Sequence, residues 1–301
     1  MNKNDLENIN KKLKKKGCEE SDVFYCESRN ISSTSRLGKI EKTENSEIKE
    51  LGIRAIFKQK QSIISTTNLE KKNIDLLIEK VFEMTKVVPK NEFCGLASSN
   101  QIKKISRDDY LKLDQIDPYT PTPKDLNNFV LTLENSALDN KKIINSEGAE
   151  ISCTKNRYIL LGSNGLEQEY EKSHSDFIIA VLAGNSNSME REYDYKSKVF
   201  FNDLGDFKKI GSDVSKKAIK KLNSKKVKTC RANVIFDSKV SSSLLNNLFS
   251  ACNSSSIIRG TSFLKNKIRK QLFSKEINII DDPRMKGKLR SKIADCEGIE
   301  S

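Results

Sequence analysis

Apolar residues recur along this chain with two periods, and the periods mark out its elements. Leu6, Ile9 and Leu13 share one helical face ahead of Gly17, so an amphipathic helix opens the chain. Runs of strand character follow at residues 23–27, 40–43, 51–57 and 62–66, with Gly38 and Gly52 at or near their turns. Ile74, Leu77, Ile78, Val81 and Phe82 return to helical spacing. Residues 1–88 therefore read as a small sheet with two helices.

A polar stretch comes next. It holds Pro89, Pro118, Pro121 and Pro123, four of the five prolines in the chain. Proline lacks a donor N–H and restricts its predecessor, so residues 89–123 read as a linker. A second block, 124–228, opens on a helix whose apolar face is Leu126, Phe129, Val130, Leu133 and Ala137. Strand-like runs follow at 143–145, 150–153, 158–161, 166–170, 177–182 and 193–201. Asn164-Gly165 between two of them is a hairpin signal, since a type I′ turn needs positive φ at both central residues. Ile210, Val214, Ala218 and Leu222 predict a helix over 207–222. The third block, 229–301, holds strand-like runs at 233–236 and 277–280, with a helix from about Ser241–Ser243 between them. The pattern is an α+β fold, antiparallel sheets with flanking helices.

Composition narrows the function classes. The chain has 301 residues, 36% hydrophobic and 32% charged, with a net charge of +13. The lysines are scattered and mixed with acids, which fits a solvated basic surface better than a dedicated polyanion site. Seven cysteines (Cys18, Cys26, Cys94, Cys153, Cys230, Cys252 and Cys296) form no CxxC pair, so reduced thiols are expected rather than a disulfide framework or zinc knuckle. No apolar run approaches the ~18 residues of a membrane span, and the first residues lack the apolar core of a secretory signal.

Candidate chemistry is sparse. His174 is the only histidine, no GxSxG elbow accompanies it, and it reads as an ordinary surface or turn residue. Phosphate-cradling glycine motifs are missing. Asp281-Asp282 ahead of Pro283 reads as a strand-end turn, and Arg36 and Lys39 around Gly38 as exposed hairpin charges.

Several runs, in this order, resemble the TldD/PmbA peptidase family, in its PmbA (TldE-like) branch. They are Ser35-Arg36-Leu37-Gly38-Lys39-Ile40-Glu41, Leu51-Gly52-Ile53-Arg54-Ala55, Ser146-Glu147-Gly148-Ala149 and Gly162-Ser163-Asn164-Gly165. Then come Met189-Glu190-Arg191-Glu192-Tyr193-Asp194-Tyr195, Arg259-Gly260-Thr261-Ser262-Phe263-Leu264, Ile279-Ile280-Asp281-Asp282-Pro283 and Asp295-Cys296-Glu297-Gly298. The resemblance makes Arg36, Gly38, Asn164, Gly165, Arg191, Tyr193, Ser262, Asp281 and Asp282 structural or cavity candidates. Family members continue past the last of these runs through a β-rich third domain, so the resemblance also implies an incomplete β-rich C-terminal domain, truncated in this chain. Two further departures are Lys292-Ile293-Ala294-Asp295, where a Phe-Asp pair is usual, and Arg269 in place of a Gly.

The decisive helix is Leu244-Leu245-Asn246-Asn247-Leu248-Phe249-Ser250-Ala251. TldD-type chains carry HExxxH there. Asn246, Asn247 and Ala251 take the positions of the first His, the Glu and the second His, and none is a good zinc ligand or a general base. The resemblance thus implies a non-catalytic subunit with no metal of its own. It would pair as a cytoplasmic heterodimer with a TldD-type subunit that holds zinc, in an assembly that degrades or matures small unfolded peptides. The alternatives are a DNA- or gyrase-associated modulator, or a remnant without function.

Overall fold

The computed structural model describes residues 1–185 and 188–301. They divide into two units, residues 1–223 with 282–301, and residues 224–281.

The larger unit is built on one antiparallel sheet of six strands, in the order β3-β2-β1-β4-β5-β6. The strands are β1 (Glu20–Arg36), β2 (Lys39–Phe57), β3 (Lys60–Thr66), β4 (Ile143–Gly162), β5 (Glu167–Asn185) and β6 (Ser188–Lys198). β1 pairs with β4 along its length, for instance Tyr25 with Ile159 and Ile31 with Cys153. Residues 1–88 and 124–228 therefore share one sheet.

Most strands are far longer than the expected runs, and the reason is visible on one face. Along β1 that face reads Val23, Tyr25, Glu27, Arg29, Ile31, and along β4 Ile151, Cys153, Lys155, Arg157, Ile159, Leu161. Apolar residues stand at both ends and charged residues between them, so hydrophobic patterning alone breaks each strand at its middle. The structure closes these gaps. The runs at 40–43 and 51–57 are both parts of β2, and β5 takes in the run at 177–182 and all but the first residue of that at 166–170. His174 accordingly lies mid-strand, paired with Thr154, and not in a turn.

Each apolar end has its own helices. α1 (Lys3–Lys15) starts on a capping box, in which Asn2 and Asp5 exchange side chain–backbone hydrogen bonds. It buries Leu6, Ile9 and Leu13, while α2 (Lys71–Val87) buries Ile74, Ile78, Val81 and Phe82. Both pack with Val23, Tyr25, Leu51, Ile53, Ile159 and Leu161. At the other end, α4 (Pro123–Leu138) is capped by Thr122 and Asp125 with proline in its first turn. It packs with α5 (Phe207–Lys221) over Ile151, Phe177, Ile179 and Val181. Between the two cores lies the charged band of the sheet.

Two hairpin turns were legible, with one change of geometry. Leu37 and Gly38 both have positive φ between β1 and β2, as a type I′ turn requires. At Asn164-Gly165 only Gly165 has positive φ, and a four-residue loop, 163–166, replaces the expected type I′ turn. The stretch 89–123 contains a short helix, α3 (Arg107–Leu111). It is fastened to β5, where Ser173 N donates to Gln115 O at 2.8 Å and Asp117 N to Ser173 Oγ at 2.6 Å.

The smaller unit contains α6 (Ser238–Cys252) and α7 (Ser254–Ile258). The strands expected at 233–236 and 277–280 do not form. Nothing pairs with them among the described residues, and Ile235 and Ile280 are 96% and 84% exposed. α6 begins at Ser238, earlier than its apolar pattern suggests, because Asp237 caps it by accepting from Lys239 N at 2.9 Å. Residues 282–301, expected to continue the third block, pack within the larger unit; their β pairing is limited to isolated bridges, Ile102 with Ile299 and Ala294 with Glu300.

Candidate functional site

The sequence-predicted residues fall into four places. The first is the end of the sheet at Arg54. This side chain on β2 reaches Asp22 on β1 and, at 2.8 Å, Glu297 in the Asp295-Cys296-Glu297-Gly298 run. Residues 243 positions apart are thereby joined through one guanidinium. Burial works against the charge on Arg54, but its hydrogen bonds and charge interactions with Asp22 and then Glu297 prevail, so it stays protonated well beyond its ordinary range. Glu297 Oε2 is buried with no hydrogen-bond partner among the described residues.

Beside this triad lies the Asn164 turn. Asn164 Nδ2 donates to Ala97 O at 2.8 Å, and Gln168 Nε2 donates to Asp295 O at 3.1 Å. Gly298 has φ +82°, and a Cβ there would stand 2.5 Å from Leu166. The tail run and the turn are thus fitted to each other.

The second place is the β1–β2 turn. Leu37 N and Gly38 N donate to the two oxygens of Glu134 on α4, at 2.9 and 3.1 Å. Glu134 is fully buried, and sequence reading missed it because it sits on the apolar face of a helix. Arg36 is exposed beside this turn. The third is the sheet edge, where Arg191 on β6 grips both oxygens of Glu147 on β4 at 2.7–2.9 Å and lies 5.2 Å over the Tyr193 ring. This is a two-pronged ion pair between two of the resembling runs.

The fourth place is α6. Asn246 and Asn247 are exposed and Ala251 is buried. Ser262 Oγ donates to Ala251 O at 2.6 Å and accepts from Leu264 N at 3.0 Å, which ties the Arg259–Leu264 run to the end of this helix. Zinc does not fit here: the donor atoms are wrong, and no group of three or more His, Cys, Asp or Glu able to hold a metal occurs among the described residues. Asp282 accepts from Arg284 N at 2.9 Å, as the turn reading expects, and Asp281 is exposed.

The charged band carries open space along its length. Cavities of about 640, 440 and 380 Å³ lie end to end along β5. Glu167, Glu169 and Glu171 line the first, Glu171 and Lys172 the second, and Ser173, His174 and Ser175 the third. Segment 102–120 forms the opposite wall throughout. Cys153 faces the last cavity, but burial pushes its thiol up to about 11, so it is protonated near neutrality.

Lys172 gives a testable pH signature. Burial, with the charge of Lys292 adding, pushes its ammonium down to about 8, and its Nζ donates to Ser291 O at 2.7 Å. From about pH 8 to 10.5 the unfolded chain holds a proton that the folded chain has released, so stability should rise with pH across that window. Urea midpoints at about pH 8 and pH 10 should show this rise in the native chain and not in Lys172→Met.

With this geometry in place, three family models match in succession: the PmbA/TldA metallopeptidase domain 1 over residues 21–85, the central domain over 116–222 and the C-terminal domain over 229–301. The chain belongs to the PmbA/TldD metallopeptidase family. Among relatives, it is 26% identical over 279 residues to a metalloprotease PmbA homolog of Buchnera aphidicola, covering 92% of this chain and 62% of that one. This PmbA/TldD chain therefore spans about three fifths of the length of that curated relative. A solved structure from Bacteroides thetaiotaomicron, described as a proposed modulator of DNA gyrase, superposes with a TM-score of 0.91 at 25% identity, over 100% of this chain and 68% of that one. TldE from Thermococcus kodakarensis shares the fold, with a TM-score of 0.75 at 18% identity over 98% of this chain and 66% of that one. No helix among the described residues is long and apolar enough to cross a membrane.

Proposed function

We propose that this PmbA/TldD chain is a TldE-like subunit that shapes the peptide path of a two-chain metallopeptidase and leaves metal chemistry to a TldD-type partner. The observation that carries this reading is α6. A chain of a metallopeptidase family has Asn246, Asn247 and Ala251 where HExxxH would stand, and Ala251 is buried under Ser262. Without a deprotonatable ligand set, neither water activation nor a zinc-bound nucleophile can be built from these residues. The assembly's substrates would be small unfolded peptides, and the setting the cytoplasm.

The test is co-expression with a TldD-type chain from the same organism, read by size-exclusion chromatography with metal analysis. A heterodimer is expected, with zinc accompanying the partner and no stoichiometric zinc on this chain alone. Zinc at one per isolated chain, or no complex with a soluble partner, would overturn the reading.

A second reading rests on charge. Residues 224–281 hold eleven Lys or Arg against three Asp or Glu, so +8 of the chain's +13 lies there. A DNA-associated role would show as duplex binding that persists at physiological salt; binding erased by modest salt would be non-specific attraction alone.

A further inference from the structure

The charged band across the sheet contains a pairing that the fold alone does not favour. Lys155 on β4 stands directly across from Arg29 on β1. Like charges on opposed strand positions destabilise a sheet. Arg29 is compensated, since it pairs with Glu27 at 2.8 Å and Glu47 at 3.3 Å. Lys155 is not: it is half-buried, and its ammonium has no hydrogen bond or ion pair among the described residues. Its other cross-strand neighbour is Ser173, which carries no charge.

Arg29 and Lys155 both line the two inner cavities, of about 440 and 380 Å³. The acids nearby are few. Glu27 already serves Arg29, and Glu171 stands one rung away, across from Arg157. Asp117 lines the smaller cavity, but its oxygens are taken by Tyr119 N at 2.9 Å and Phe201 N at 2.7 Å. Of the cations lining the middle cavity, Arg157 is paired with Glu169 at 2.6 Å, and Lys172, on the other face of β5, donates to Ser291 O at 2.7 Å, so Lys155 is the one whose ammonium has no partner among the described residues.

We propose that this trough binds an extended peptide that carries acidic side chains, with Lys155, beside Arg29, as the cation that takes a carboxylate. A bound carboxylate would relieve the opposed cations and supply the counter-charge that Lys155 lacks. The length suits such a ligand. The cavities run from Glu167 to Ser175 on β5, which is about 26 Å at ~3.3 Å per residue, room for roughly eight extended residues. The choice of a peptide as carrier of the carboxylate rests on the peptidase-subunit reading above; the anion site itself does not.

The experiment uses the full chain and fluorescein-labelled octaglutamate, with octaglutamine as the neutral control, read by fluorescence anisotropy at about 0.05 and 0.15 M salt. Octaglutamate should bind and octaglutamine should not. Lys155→Gln should weaken binding roughly threefold and Lys155→Glu roughly tenfold, as expected for one partly desolvated charge contact. Because Lys155→Glu places a carboxylate opposite Arg29, its melting temperature should stay level or rise, so lost binding cannot be blamed on lost structure. A Lys265→Glu/Lys267→Glu double variant in the basic 224–281 unit should leave binding intact. If that variant abolishes binding while the Lys155 variants do not, the assignment is overturned in favour of diffuse attraction. Tighter Lys155-dependent binding of an eight-base oligothymidine would overturn the peptide as ligand. Lys155→Glu should still form the heterodimer, so failure of the site and failure of the subunit reading remain separate results.

Discussion

Arg54→Met should destabilise the larger unit by on the order of 3 kcal/mol, measured by urea unfolding at pH 7. The substitution removes the one cation shared by Asp22 and Glu297 and strands two carboxylates against each other in a partly buried site. Breaking a buried ion pair from one side costs more than the pair contributes, because the remaining charge has lost water and gained nothing. Loss should extend beyond β2, since Glu297 belongs to the C-terminal run fitted against the Asn164 turn. The sign of the pH response is fixed. Burial already raises the Asp22 carboxyl against the pull of Arg54, so without Arg54 it holds its proton more tightly folded than unfolded, and part of the loss should be recovered as pH falls toward about 4–5. Arg54→Lys should recover only part of it, since an ammonium lacks the guanidinium's planar fork. Equal stability of Arg54→Met and the native chain at pH 7 would remove the triad's claim to hold the tail.

The second large effect is expected at Gly211 on α5. A Cβ there would stand 2.1 Å from Leu133 O and 2.2 Å from Ser136 Oγ, both on α4. The backbone oxygen cannot rotate away, so even alanine must push the two helices apart. That loosens Val130, Ala137, Val214 and Ala218, all within the core they share. Gly211→Ala should therefore lower stability by about 3 kcal/mol, the upper range for an overpacked core. Adding Ser136→Gly should not rescue it, because Leu133 O remains. Full rescue by that second change would show the hydroxyl, and not the helix backbone, to be the obstacle.

The longer helices were legible in the sequence because each carries an apolar stripe, as Leu6, Ile9 and Leu13 do behind the Asn2 and Asp5 cap, whereas the five-residue α3 and α7 bury nothing and left no such signal. The strands were legible only at their apolar ends. Glu27, Arg29, Lys155 and Arg157 sit on the same face as Tyr25 and Ile159, and a polar residue in the middle of a buried run looks like the end of that run. The site was less legible still. That Arg54 meets Glu297, or Arg191 meets Glu147, depends on strand register and on where the tail folds back, and no local pattern encodes either. Lys155 carries no motif at all. It stands out only once its partner across the sheet is known to be another cation. For Asn233 to Phe236 and Ile277 to Ile280 the reverse held, since β-branched composition suggested strands and no partner strand exists to pair them among the described residues.

The pairing of β1 with β4 also bears on how this architecture is inherited. The family models divide the chain between residues 85 and 116, as though two modules met there. The hydrogen-bond ladder crosses that division. Remove the first segment, and β4 becomes a bare edge displaying Ile151, Ile159 and Leu161, the kind of edge that recruits other chains. Recombination at this boundary would therefore yield insoluble halves, and the two segments must travel together through evolution as one heritable piece.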